Sequence, residues 1–90
     1  MNLKELNEYV ITLAKTVPGI YEINYCSGLE TIVLKSEKAN NAIDIKMELF
    51  LIENSFSKII VEELFEIINY QLQQKNIVID IFDIYIKGIK

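Results

Sequence analysis

The segment Ile43-Asp44-Ile45-Lys46-Met47-Glu48-Leu49-Phe50-Leu51-Ile52 constrains the fold more than any other part of the chain. Its odd positions are all aliphatic, and its even positions begin Asp, Lys, Glu before turning apolar at Phe50 and Ile52. Side chains on a strand point to alternate faces, so this pattern is a strand over about 43–52 with one buried and one wet face. A strand of that kind belongs to a sheet covered on one side only, which antiparallel sheets allow and all-parallel sheets do not. The rest of the chain must therefore supply both the neighbouring strands and the cover.

Two amphipathic helices can do so. Leu3, Leu6, Val10, Leu13, Ala14 and Val17 recur at three- and four-residue spacing over about 3–16. Asn2 followed by Glu5 predicts a capping box at the start, and Pro18-Gly19 predicts the stop. The second helix runs from a cap at Asn54 or Ser55 to about residue 74. Phe56, Ile60, Val61, Leu64, Ile67, Ile68 and Leu72 make its apolar arc wider than contact with one sheet requires, which fits deep burial or a further interface.

Three more strands are expected. Residues 20–25 place Tyr21, Ile23 and Tyr25 on one face, and Cys26-Ser27-Gly28 is a turn. A strand near 30–35 places Ile32 and Leu34 together, and the polar run Ser36 to Asn41 is a hairpin loop. The last strand, about 77–87, changes phase: Ile77, Ile79 and Ile81 are odd, whereas Phe82, Ile84 and Ile86 are even. One register cannot serve both sets, so a bulge is expected near Asp80–Phe82. The order is helix, three strands, helix, strand. That is an α+β domain spanning residues 1–90, a mostly antiparallel sheet with both helices on one face.

Composition narrows the chemistry. The 90 residues include no His, no Arg and no Trp, which removes the commonest general base and metal ligand and the usual bidentate phosphate clamp. Ile and Lys have AT-rich codons and about one residue in five is Ile, so the missing Arg carries less functional weight than it first suggests. Net charge is −4, with nine Lys dispersed among thirteen acids, which argues against nucleic acid or an anionic membrane surface as direct partner. The lone Cys26 fits a reducing compartment, and the acid-bearing start Asn2-Leu3-Lys4-Glu5 is unlike a signal peptide. Apolar runs are far shorter than the roughly 20 residues that cross a bilayer. The expectation is a cytoplasmic chain without direct membrane insertion.

Each motif that could carry chemistry has a plainer reading. Cys26 has no His to activate it and reads as a small, half-buried residue. Glu62 with Glu66 is a solvated helix face, and Asp80 with Asp83 differ in strand parity, so neither pair is expected to bind a metal or act as acid and base. Gly19, Gly28 and Gly88 are isolated, with no phosphate loop and no Gly-x-x-Gly clamp of the KH type. No catalytic, cofactor or metal site is expected. The aromatic residues are more telling. With strands 43–52 and 77–87 as neighbours, Phe50, Ile52, Tyr85 and Val33 form an apolar patch rimmed by Lys46, Glu48, Asp83 and Lys87. The plainer alternative is scattered surface hydrophobes.

Four pieces of the chain carry a family resemblance: the helix running into Val17-Pro18-Gly19-Ile20, the alternating strand 43–52, the long helix with Val61-Glu62-Glu63-Leu64, and the closing Phe82-Asp83-Ile84-Tyr85-Ile86-Lys87-Gly88-Ile89. In this order they resemble the alkaline shock proteins, the envelope stress response family of Gram-positive-type bacteria. The chain differs in having only Met1 and Asn2 before the first helix, and Gln74-Lys75-Asn76 where members often carry a Gly. The resemblance implies a non-enzymatic, cytoplasmic scaffold or adaptor in envelope or lipid homeostasis. It would act through a protein partner, including a membrane-anchored one that holds it at the inner membrane face, and through homo-oligomers. It implies no cofactor. The alternatives are a small KH-like or ribosome-associated nucleic-acid module, or an accessory subunit that uses Cys26.

Overall fold

The computed structural model describes residues 2–90. Its elements are α1 (Leu3–Ala14), β1 (Ile20–Asn24), β2 (Val33–Lys35), β3 (Ala42–Leu51), α2 (Ser57–Gln73) and β4 (Val78–Ile89), the α+β order expected from the sequence. β3 is the centre of the sheet. β4 pairs with it in parallel along its whole length, so β1 and β2 share its other edge. Both run antiparallel to β3, β2 against its first half and β1 against its second. They behave as one edge strand interrupted between residues 25 and 32. Two of the three pairings are thus antiparallel, and the longest is the parallel crossover β3–α2–β4.

The odd residues of β3 face the helices. Ile45, Met47 and Leu49 are wholly buried, and Ile43 and Leu51 nearly so. From α1, Leu6, Val10 and Ala14 close on them, and from α2 comes the ridge Ile60, Leu64, Ile68 and Leu72. That ridge repeats strictly every four residues, so it covers less of α2 than the sequence arc did. Phe56, Ile59 and Tyr70 are left exposed on the same helix. The helices meet each other through Tyr9, whose hydroxyl donates to Gln71 Oε1 at 3.1 Å and whose ring lies 5.2 Å from Lys75 Nζ.

The ends of the helices follow from local chemistry. Asn2 Oδ1 accepts from the Glu5 N–H at 2.8 Å and Glu5 Oε1 accepts from the Asn2 N–H at 3.3 Å, which completes the expected capping box. Gly19 takes φ +97°, a conformation that side chains rarely tolerate, and lets the chain reverse into β1. At the start of α2 the expected cap is corrected. Neither Asn54 nor Ser55 caps it, because both lie in the turn after β3, and Phe56 holds the cap position without a side-chain bond. At its other end Asn76 adopts φ +59°, Asn76 N–H donates to Gln73 O, and Ile77 N–H donates to Leu72 O. This is a Schellman stop with Asn, the residue after Gly that best accepts a left-handed backbone, in the glycine position.

The phase change in β4 is a bulge. Ile79 pairs with Ile43 and Ile81 with Asp44, leaving Asp80 unopposed. Its carboxylate turns to the β2–β3 loop, accepting from Ser36 Oγ at 2.9 Å and lying 3.1 Å from Lys38 Nζ. A second bulge, at Lys87, extends β4 to Ile89. A third register shift, at Tyr21, corrects the expectation for the first strand: Ile23 faces the core opposite Leu49, whereas Tyr21 and Tyr25 are exposed.

Candidate functional site

The even residues of β3 and their neighbours form the face that the helices leave uncovered. Parallel and antiparallel partners in register share a face. Asp44, Lys46, Glu48 and Phe50 therefore stand beside Ile81, Asp83, Tyr85 and Gly88 of β4. On the other side of β3 are Leu34 of β2 and Asn24 and Glu22 of β1. The row combines both signs of charge with aliphatic and aromatic groups, and the β3 members are half-buried although no helix covers them. Asp44, between Leu34 and Ile81, has one carboxylate oxygen shielded from solvent without a hydrogen-bond partner.

Phe50 is on the uncovered face, as expected, but it is framed. It stands in register with Gly88, where a Cβ would come within 3.3 Å of its ring. The ammonium of Lys90 sits 4.5 Å from its centroid and 5.6 Å from that of Tyr21, and 3.7 Å from Glu22 Oε1. Such a cation over an aromatic face is a stabilising contact, and it covers one side of the ring. Tyr85, opposite Glu48, is 49% exposed. Ile52, just beyond β3, is also exposed, and Lys87 stands at the β4 bulge.

Val33 is the correction to the expected patch. It pairs with Ile45 on the helix side and is 1% exposed, so it belongs to the core. The reason is that β2 has only three residues and Ile32 precedes it, outside the strand alternation. Ile32 and Val33 are buried in succession because Asn7 Oδ1, from α1, accepts from both their N–H groups, at 2.7 and 3.3 Å. Leu34, expected to join Ile32, faces the other way, toward Asp44.

The feature that sequence reasoning missed is the 25–32 excursion. Cys26, Ser27 and Leu29 close one side of a concavity of about 400 Å³ whose other side is Lys46, Glu48, Tyr85 and Lys87. Nothing in a local sequence pattern brings a turn residue to the middle of a strand twenty residues away. Burial raises the Cys26 thiol above its ordinary pKa and Glu48 adds to this, outweighing Lys46 and Lys87. That direction is opposite to the lowering that activates a thiol nucleophile.

Glu62 and Glu66 lie on α2, and Asp80 is engaged at its bulge while Asp83 faces Lys46. Among the described residues, no group of three or more His, Cys, Asp or Glu is placed to hold a metal ion, and no helix is long and apolar enough to cross a membrane. Comparison with family models, curated proteins and solved structures finds no match.

Proposed function

We propose that this chain is a non-enzymatic scaffold or adaptor that works by protein–protein contact, in the manner the alkaline shock resemblance implies. The observation that carries the reading is the uncovered sheet face, where Ile81, Tyr85 and Phe50 alternate with Lys46, Asp83 and Glu48, and Lys87 stands at the end of the row. Solvated faces of antiparallel sheets commonly alternate toward polar residues, and this one keeps an aliphatic and two aromatic side chains. Exposed aromatic and aliphatic groups interleaved with charges of both signs can supply anchors and hydrogen-bonding partners at a protein contact. The raised Cys26 pKa and the mixed signs of charge favour contact over thiol chemistry or phosphate binding. The resemblance adds a setting: cytoplasmic, in envelope or lipid homeostasis, held at the inner membrane face through a membrane-anchored partner.

The test is affinity capture from the native cell, with wild type beside Phe50→Glu. The charge is placed on the uncovered face, so the circular dichroism spectrum should be retained while a specific co-purifying protein is lost. Identical capture by both proteins would remove this face from the function. Salt-sensitive binding to RNA at physiological ionic strength would replace the reading with a nucleic-acid one.

A further inference from the structure

We infer that a second copy of this chain docks antiparallel on the free edge of β4, with Tyr85 opposite Tyr85 of the second copy. The inference deepens the protein-contact reading above by naming one partner and one surface. β4 pairs only with β3, so along twelve residues the backbone groups directed away from β3 meet no strand among the described residues. An edge of that length is ordinarily shortened or loaded with charge. Here the charged members are Asp80, Asp83 and Lys87, and Asp80 is already occupied by Ser36 and Lys38. The bulges at Asp80 and Lys87 leave a regular stretch, Ile81–Ile86, between them.

The apolar surface along this edge is unfinished on both faces. Ile81 and Tyr85 are exposed on the uncovered face. Ile86 lies on the helix side, opposite Leu49, and is still 39% exposed. Phe65 of α2, which packs edge-to-face on Phe82 at 5.1 Å, is exposed beside it.

Charge selects the register. Residues directly opposite in an antiparallel pair share a face, so a two-fold pairing centres on one residue. Centring on Asp83 opposes two carboxylates, which is destabilising. Centring on Ile84 sets Asp83 against Tyr85 and Lys87 against Ile81, and centring on Ile86 leaves both charges against apolar or aromatic groups. Only Tyr85 as centre brings Asp83 to Lys87, the bulge residue that ends the regular stretch, twice by symmetry, and Lys87 lines the uncovered face beside Tyr85. It also places Ile84 opposite Ile86 on the helix side, which covers the exposed Ile86. The two-fold axis then stands perpendicular to the sheet, and the helices of both copies lie on the same side of one continuous sheet.

Sedimentation of the wild type at tens of micromolar should show a species of twice 10.4 kDa. In a Cys26→Ser background, Tyr85→Cys should form a disulfide-linked dimer under mild oxidation, since directly opposed residues have Cα atoms about 4.5–5.5 Å apart, within the span a disulfide bridges. Val78→Cys, equally exposed but beyond the paired stretch, should not. Asp83→Lys should weaken the dimer by at least about tenfold, and Asp83→Lys with Lys87→Asp should restore it. A monomeric wild type overturns the inference, as does equal cross-linking through Val78→Cys or a dimer indifferent to both charge changes. These results are separable from the scaffold reading, because Phe50→Glu alters β3 and its contacts with Gly88 and Lys90, outside the Asp83–Lys87 stretch centred on Tyr85. A monomer that still loses its captured protein on Phe50→Glu would sink the pairing alone, and a dimer whose captures ignore Phe50 would sink the scaffold role alone.

Discussion

The two faces of β3 are built from the same ten residues and obey different rules. On the helix side, Ile43, Ile45, Met47, Leu49 and Leu51 are all aliphatic and all buried, and what fixes them is volume. On the other side, Asp44, Lys46, Glu48 and Phe50 are each set by what stands beside them: Leu34 and Ile81, Asp83, Tyr85, Gly88 and Lys90. A face held by volume tolerates little change and says little about partners. A face held by neighbours can be altered without unfolding the chain, which leaves it available for recognition.

Adjacent residues give the sharpest way to break that comparison. Leu49→Ala should cost about 2–5 kcal/mol, because it opens a cavity in a wholly buried layer. Phe50→Ala should cost no more than about 1 kcal/mol, since its ring is half-buried and borders solvent. Urea unfolding of the two variants measures both. Equal losses would mean that the uncovered face is part of the core.

Legibility in the sequence divides along the same line. The alternation of 43–52 revealed the covered face, and the phase change in the last strand revealed the Asp80 bulge, because burial leaves a periodic trace. The capping box at Asn2 and Glu5 was visible because its partners lie three residues apart. Val33 was misassigned because a three-residue strand is too short for alternation to determine its face. The start of α2 was misplaced because Asn54 and Ser55 serve equally well as turn residues, and the turn won. The Cys26 concavity and the Lys90–Phe50 contact join residues far apart in sequence, where no periodicity operates.

A smaller effect sharpens the comparison from the buried side. Asn7 is the one polar residue of α1 that enters the core, and its Oδ1 takes up the N–H groups of Ile32 and Val33 where the chain passes from the excursion into β2. Asn7→Ala leaves two buried donors without their partner, at a cost of about 1–3 kcal/mol. The loss should be local as well as global. Hydrogen exchange at Ile32 and Val33 should quicken more than at Met47 or Leu49 in the same protein. Uniform acceleration throughout the sheet would mean that Asn7 fills space and does not tie down the edge.

The smallest expected effect comes from the polar side and is set by pH. Hydrogen bonds from Lys38 and then Ser36 hold the Asp80 carboxyl below its ordinary range. A carboxylate with a depressed folded-state pKa contributes stability that is fully present above the unfolded value, about 3.9. That contribution is lost as pH falls through the lower folded value. Lys38 is largely exposed, so solvent screens the pair and the contribution is slight. The wild type should therefore lose stability on the acid side more steeply than Asp80→Asn, the gap between the curves being constant above about pH 4 and closing as pH falls from there through the lower Asp80 folded pKa. Thermal unfolding at a series of pH values records the difference. Parallel curves throughout would place the origin of the bulge in the phase change of β4 alone, with the carboxylate turning to Ser36 and Lys38 only because the bulge had already freed it.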